Sequence, residues 1–287
     1  MRITTRDVKC SWCNNKAVIY YKNFPEKGHN IYKCLKCGIM FQSPIPNINK
    51  LYSTEYFETW GDENLLSITK KENFRILISL LNNYNILNTK TLLDIGAAQG
   101  FLMEVAEEQG WESSGIEMSR NVQSLNKYIQ KKIVYGDFND IRFEKNKFSA
   151  ITSISVFEHI PDPIVFVKKV NNLLKRDGLW LVLVPNLNSL SCKILGKRWP
   201  HFNLPHIFYY NCNFFKKELS KYDFTPIYCK PHYSVYSIFY ILNQIKINSK
   251  GIISSFAEIS LKLLPSFVLR KKLKLSGGNL LIIFRKK

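Results

Sequence analysis

Four cysteines form two C-x-x-C pairs, Cys10/Cys13 and Cys34/Cys37, separated by twenty residues. Each short pair makes a turn that aims two sulfurs at one point, and the spacing predicts a tetrahedral thiolate site for zinc. All four positions would be filled by protein, so the ion would be structural, serving as scaffold or partner-recognition element. Free or redox-active thiols are the competing reading of the same pattern.

A second chemical centre lies further along. Thr91–Gly100 reads T-L-L-D-I-G-A-A-Q-G, an apolar run, an acid and two glycines, leading into the helix-periodic F-L-M-E-V-A-E-E. Strand, glycine turn and helix in that order let a ligand approach the backbone and meet free N–H groups. A dinucleotide site would want G-x-G-x-x-G, but Ala98 holds the second glycine position, and no lysine followed by Ser/Thr supports a Walker loop. Glu117 ends the second strand, 21 positions after Gly96, where a carboxylate can accept from both hydroxyls of a ribose. Asp137, in Y-G-D-F-N-D, follows the third strand and can accept from an adenine amino group, with Phe138 against the ring. A nucleoside without a pyrophosphate fits these residues. His159, after the fourth strand, and His206, in W-P-H-F-N-L-P-H, are candidate bases, since a neutral imidazole can take a hydroxyl proton. His201 is nearby, and Glu158 is read as orienting a neighbour or the ligand. The alternative for each histidine is a hydrogen-bonded loop side chain.

The elements that must position these groups alternate: strand 91–95, helix 100–109, strand 113–117, helix 119–130, strand 132–136, strand 148–154, helix 163–175 and strand 179–184. That order predicts an α/β fold with a doubly wound, seven-stranded, mostly parallel sheet. An amphipathic helix over Glu63–Tyr84 precedes it. Asn211–Tyr222 reads as a helix capped by Asn211 or Asn213, and Thr225–Cys229 and Asn279–Phe284 as the last two strands. The expected divisions are a zinc ribbon over 1–48, with strands A-V-I-Y-Y and N-I-Y-K-C; a linker and helix over 49–90; a core over 91–233; a helical insertion over 234–277; and a last strand over 278–287. Q-S-P-I-P-N-I-N-K reads as a proline-stiffened linker, and Tyr52, Tyr56, Phe57 and Trp60 as packing between domains or a substrate mouth.

With 287 residues, 46% of them hydrophobic, the chain can bury a substantial core. The net charge is +19, and from Lys230 onward eleven Lys/Arg stand against Glu258 alone. Such a surface suits an anionic partner, whether nucleic acid, acidic lipid or a phosphate-bearing metabolite, or is simply a solvated basic face. In the insertion, Ile252, Ile253, Phe256, Ile259 and Leu263 make a helical stripe followed by Arg270–Lys274. It is read first as a lid packed over the site, and second as a peripheral helix on an anionic membrane. No stretch is long enough to span a bilayer and no signal core opens the chain, so a cytoplasmic location, peripheral at most to the inner membrane face, is expected.

These residues resemble the class I S-adenosylmethionine-dependent methyltransferases. D-I-G-A-A-Q-G is similar to the family's first motif, S-V-F-E-H-I-P-D-P to its substrate-side loop, and N-N-L-L-K-R-D-G-L-W-L-V-L-V-P-N to its fifth-strand motif. The resemblance implies cofactor contacts from Asp94, Gly96, Ala97 and Gly100, from Glu117 with Met118, and from Asp137 with Phe138, and an antiparallel seventh strand. His206 resembles a histidine that precedes the next helix in this family. A four-cysteine ribbon ahead of such a domain is also similar to bacterial sugar and polysaccharide methyltransferases, which implies a saccharide or nucleotide-sugar acceptor and O-methylation. An RNA methyltransferase using the ribbon and basic surface, and a non-catalytic binding module, are the other readings.

Overall fold

The computed structural model describes residues 8–46, 63–120, 126–248 and 251–287. At its centre lie seven strands, the apolar runs among them buried on both faces as a parallel sheet covered by helices requires. These are β4 (Thr91–Ile95), β5 (Glu112–Glu117), β6 (Ile133–Tyr135), β7 (Phe148–Ile154), β8 (Leu174–Pro185), β10 (Phe224–Pro231) and β13 (Asn279–Lys286). Their order is β10-β13-β8-β7-β4-β5-β6, with β13 antiparallel to both neighbours and the pairs among β8, β7, β4, β5 and β6 parallel. This is the expected seven-stranded sheet. The topology reverses beside β4, so ligands belong at the carboxyl ends of β4, β5 and β7.

Alternate residues of each strand feed two cores. Leu77, Ile78 and Leu81 of α1 (Glu63–Tyr84) and Leu102 and Val105 of α2 (Phe101–Glu108) pack with Leu92, Leu181 and Ile283. On the opposite face Leu93, Ile151, Trp180 and Val182 meet Phe166 and Val170 of α4 (Pro163–Leu173) and Phe214 and Phe215 of α6 (Cys212–Glu218). Asp162 caps α4 through Val165 N, and Asn211, one of the two expected caps, accepts from Phe214 N at 2.9 Å. Of the expected helix 119–130, α3 (Lys127–Gln130) is described, and Asn126 caps it.

The cysteine-bearing segment folds as β1 (Ala17–Tyr21), β2 (Asn30–Cys34) and β3 (Met40–Ser43). Gln42 and Ser43, expected to open the linker, therefore belong to a strand. The sheet is completed from outside the segment: β9 (Phe208–Tyr209) pairs with β3 as Met40↔Tyr209 and Phe41↔Phe208. Trp12 donates to Glu218 Oε2 at 3.0 Å and packs edge-on against Phe214. The cysteine segment is thus built into the wall of the larger domain. Tyr52, Tyr56, Phe57 and Trp60 lie outside the described residues.

One further expectation needs correction. The insertion is helical, with α7 (Ile238–Asn248), α8 (Ile252–Leu263) and α9 (Ser266–Leu269), but its ends are zipped by a two-stranded sheet of β11 (Ser234–Ser237) and β12 (Lys272–Leu275). The α8 stripe does not pack inward: Ile252 is 89% and Leu263 77% exposed, with Phe256 and Ile259 also exposed, while Ala257 is the buried contact. The cavity is instead lined from this region by Tyr240 and Gln244 of α7. Cys212 and Cys229 are disulfide-bonded, tying α6 to β10. Between β8 and β9 lies α5 (Leu190–Leu195). Among the described residues no helix is long and apolar enough to cross a membrane.

Candidate active site and thiolate centre

The turn after β4 takes its shape from left-handed backbone. Gly96, Ala98 and Gly100 have φ of 77°, 46° and 76°. Gly96 N and Ala97 N both donate to Ile116 O, at 2.8 and 2.9 Å, locking the turn to the end of β5. A Cβ on Gly96 would stand 2.4 Å from Val156 Cγ2. Gly96→Ala should therefore strain the backbone by about 1–2 kcal/mol and drive Val156 into the cavity it lines. A lowered melting temperature together with weakened cofactor binding is expected by thermal denaturation and calorimetry. A second close approach is at Gly115 of β5, where a Cβ would meet Met103 Sδ at 2.6 Å and Ala97 Cβ at 2.8 Å.

Three carboxylates stand at successive strand ends. Asp94 is buried and accepts from Thr152 Oγ1 at 2.7 Å, and burial raises its pKa to about 7. Glu117 is buried too, its Oε2 accepting from Ala98 N at 2.9 Å and its Oε1 from Ser119 N at 3.0 Å. Asp137 Oδ1 accepts from Asn139 N at 2.7 Å. The loop carrying Asp137 is pinned by Lys169 of α4, which donates to the carbonyls of Phe138, Asn139 (2.9 Å) and Ile141 (2.7 Å). The sequence offered no sign of that role for Lys169, since it needs the packing of α4 beneath the loop.

All three carboxylates line one cavity of about 910 Å³, together with Gly96, Ala97, Met118, Phe138, Glu158, His159 and His206. Of the expected ligand contacts Gly100 is not a lining residue; it stands as N-cap of α2, and Ala98 and Gln99 line in its place. Gln99 Oε1 is buried without a hydrogen-bond partner. Lys70 and Phe74 of α1, which sequence reasoning passed over, also face the cavity, and burial lowers the Lys70 pKa to about 8.

Residues Phe157–His159 form a 3₁₀ turn after β7, and Glu158 O accepts from Ile207 N at 2.9 Å, drawing the His206 segment against it. The two candidate histidines thereby meet, with ring centroids 4.8 Å apart. His159 Nδ1 faces Pro205 O at 2.9 Å and His206 Nδ1 faces His201 O at 2.8 Å. Carbonyls only accept, so in each neutral ring the proton sits on Nδ1 and Nε2 is the basic nitrogen. His201 Nε2 in turn faces Gly277 O. Burial lowers the His159 pKa to about 4 and pushes His206 well down, while it raises Glu158 to about 8. At neutral pH both imidazoles are therefore uncharged.

The sulfurs of the cysteine segment also converge. Cys10 and Cys37 sulfurs are 3.7 Å apart, those of Cys13 and Cys34 3.5 Å, and all four lie within 4.8 Å of one another. Sulfurs about 2.3 Å from a tetrahedral zinc stand about 3.8 Å apart, so the set has the geometry to hold that ion. Lys36 N and Cys37 N donate to Cys34 Sγ, at 3.4 and 3.5 Å.

With this geometry in place, a family model described as a methyltransferase domain matches residues 68–228, more than half of the chain. The chain belongs to this methyltransferase-domain family. Among its relatives is the ubiquinone biosynthesis O-methyltransferase of Pasteurella multocida, 31% identical over 139 residues, covering 42% of this chain and 57% of the relative. The enzyme of the same name from Pelagibacter ubique is 27% identical over 136 residues, covering 45% and 57%. The chain thus spans little more than half the length of these relatives. The methyltransferase solved in complex with the Trm112 activator of Haloferax volcanii superposes with a TM-score of 0.53 at 12% identity, over 80% of this chain and 97% of that one. A SAM-dependent methyltransferase of Thermotoga maritima gives 0.50 at 14%, over 84% and 99%. These structures share the methyltransferase fold with this member of the family.

Proposed function

We propose that the protein is an S-adenosylmethionine-dependent O-methyltransferase. The observation that carries the reading is the convergence in one cavity of a glycine turn, three strand-end carboxylates and two imidazoles with basic Nε2 atoms. Glu117 would accept from the ribose hydroxyls and Asp137 from the adenine amino group, with Met118 and Phe138 beside the ring. The buried Gln99 carbonyl, without a partner, is suited to a donor on such a ligand. When bound, this cofactor supplies an electrophilic methyl group on a sulfonium. His159 or His206 would take the proton that an acceptor hydroxyl releases on methylation.

Oxygen as acceptor atom is supported by the names of the relatives, which are O-methyltransferases. Those names give no support to the saccharide or nucleotide-sugar acceptor expected from the ribbon arrangement, so that acceptor rests on the ribbon alone. To the four cysteines we assign a structural zinc, supported by their spacing and convergence. The test is release of S-adenosylhomocysteine with label transfer from methyl-labelled cofactor, across quinone precursors, nucleotide-sugars, polysaccharide fragments and RNA. Transfer to a hydroxyl acceptor is expected. Labelling of RNA in place of the small acceptors would overturn the reading in favour of RNA methylation, and tight RNA binding with no transfer would favour a binding module.

A further inference from the structure

We propose that Glu158, His159 and His206 form a binding site for one first-row divalent cation, separate from the four cysteines and opening onto the cavity. One ligand atom from each of the three lies within 4.8 Å of the others, and the three come from two segments joined by the Ile207 N to Glu158 O hydrogen bond.

Three features of the cluster are those of a ligand set. Both imidazoles hold Nδ1–H against a backbone carbonyl, Pro205 O and His201 O, which fixes the tautomer and ring orientation that a metal-binding Nε2 needs. Glu158 is 1% exposed, and its Oε2 has no hydrogen-bond partner, while its Oε1 stands 3.9 Å from His159 Nε2. A buried carboxylate oxygen left without a donor is costly, and a cation among these atoms would satisfy it. All three residues line the cavity, so an ion held by them would keep coordination positions open on that side.

The donor set selects the ion class. Two imidazoles and one carboxylate suit Zn²⁺, Mn²⁺ or Fe²⁺, whereas Mg²⁺ and Ca²⁺ want oxygen ligands throughout. The four-cysteine centre, all thiolate, favours softer ions and would not compete for Mn²⁺. The role of the ion rests on the methyl-transfer reading: with both Nε2 atoms engaged as ligands, the ion takes over the task assigned above to a free imidazole, its charge orienting the acceptor hydroxyl and lowering its pKa so that the proton leaves to solvent. Its binding does not rest on that reading.

The experiment uses the full chain loaded with zinc at the cysteines and titrated with Mn²⁺ without cofactor or acceptor, free Mn²⁺ being followed by electron paramagnetic resonance. One Mn²⁺ bound per chain is expected, with Glu158→Gln and His206→Ala each raising its dissociation constant at least tenfold while S-adenosylmethionine affinity stays within twofold by calorimetry. Should either variant misfold, pulsed resonance on the wild-type complex decides instead, through nitrogen couplings from the imidazoles. Absence of stoichiometric Mn²⁺ binding, affinity untouched by both substitutions, or a bound ion without nitrogen coupling would each overturn the proposal. Failure of wild-type protein to bind S-adenosylmethionine would count against the methyl-transfer reading alone, the cation site being judged on Mn²⁺.

Discussion

Replacing Cys34 with serine is expected to unfold the cysteine-bearing sheet and to reduce methyl transfer at least a hundredfold, although no cysteine is among the described residues that line the cavity. Cys34 is buried at the end of β2, and its Sγ receives the Lys36 and Cys37 amides that shape the knuckle. Three short strands with little core of their own would depend on the zinc proposed for the four cysteines, an ion whose contribution in small zinc domains is about 10–16 kcal/mol. The consequence travels through β3. Gln42 N donates to Ile207 O at 2.8 Å and Gln42 Nε2 to Leu204 O at 3.0 Å, so β3 brackets the segment that carries His206. Loss of the sheet releases that segment and with it the His159–His206 pair. Hydrogen exchange should show lost protection over 203–209 in Cys34→Ser, with the amides of β4 and β7 unchanged. A chelator that strips the ion should reproduce both effects. If the variant kept its protection and its turnover, the sheet would be standing without metal and the coupling would be wrong.

The middle of the central sheet was legible because its strands are buried on both faces and so read as largely apolar runs, T-L-L-D-I and L-W-L-V-L-V. The acids and the glycine turn were legible because their chemistry is tied to strand ends. What failed to show depended on partners remote in the chain. β9 is two residues long, and its identity comes from pairing with β3. β8 begins at Leu174, five residues before the expected start, because Leu174 pairs with Phe148 across an irregularity in the ladder. The α8 stripe has helical periodicity, but periodicity says which residues share a face and not whether that face is covered; here it is exposed. Glu158 could be placed beside the site from its position after β7. Its burial and its orphaned oxygen follow from the Ile207 contact, which no local pattern encodes.

The cofactor assignment turns most sharply on Glu117, and Glu117→Ala should weaken S-adenosylmethionine binding by about 10- to 150-fold. Hydrogen bonds to a charged group contribute about 1.5–3 kcal/mol, and about 1.4 kcal/mol corresponds to tenfold in affinity. Two effects add in this variant. The carboxylate is lost as acceptor for the ribose hydroxyls, and the amides of Ala98 and Ser119 lose the oxygens they now donate to. The Ala98 contact matters because that residue holds a left-handed φ of 46° without being glycine, a conformation its surroundings must maintain. The glycine turn should therefore loosen when Glu117 is removed. Glu117→Gln separates the contributions: its amide oxygen can still accept from Ala98 N, so melting should recover more fully than affinity, because one of the two acceptor oxygens has become a donor. Calorimetry gives the affinity and thermal denaturation the stability. An alanine variant that melted early but bound the cofactor within twofold of wild type would reduce Glu117 to a brace for the turn, and the ribose contact would have to be sought elsewhere in the cavity.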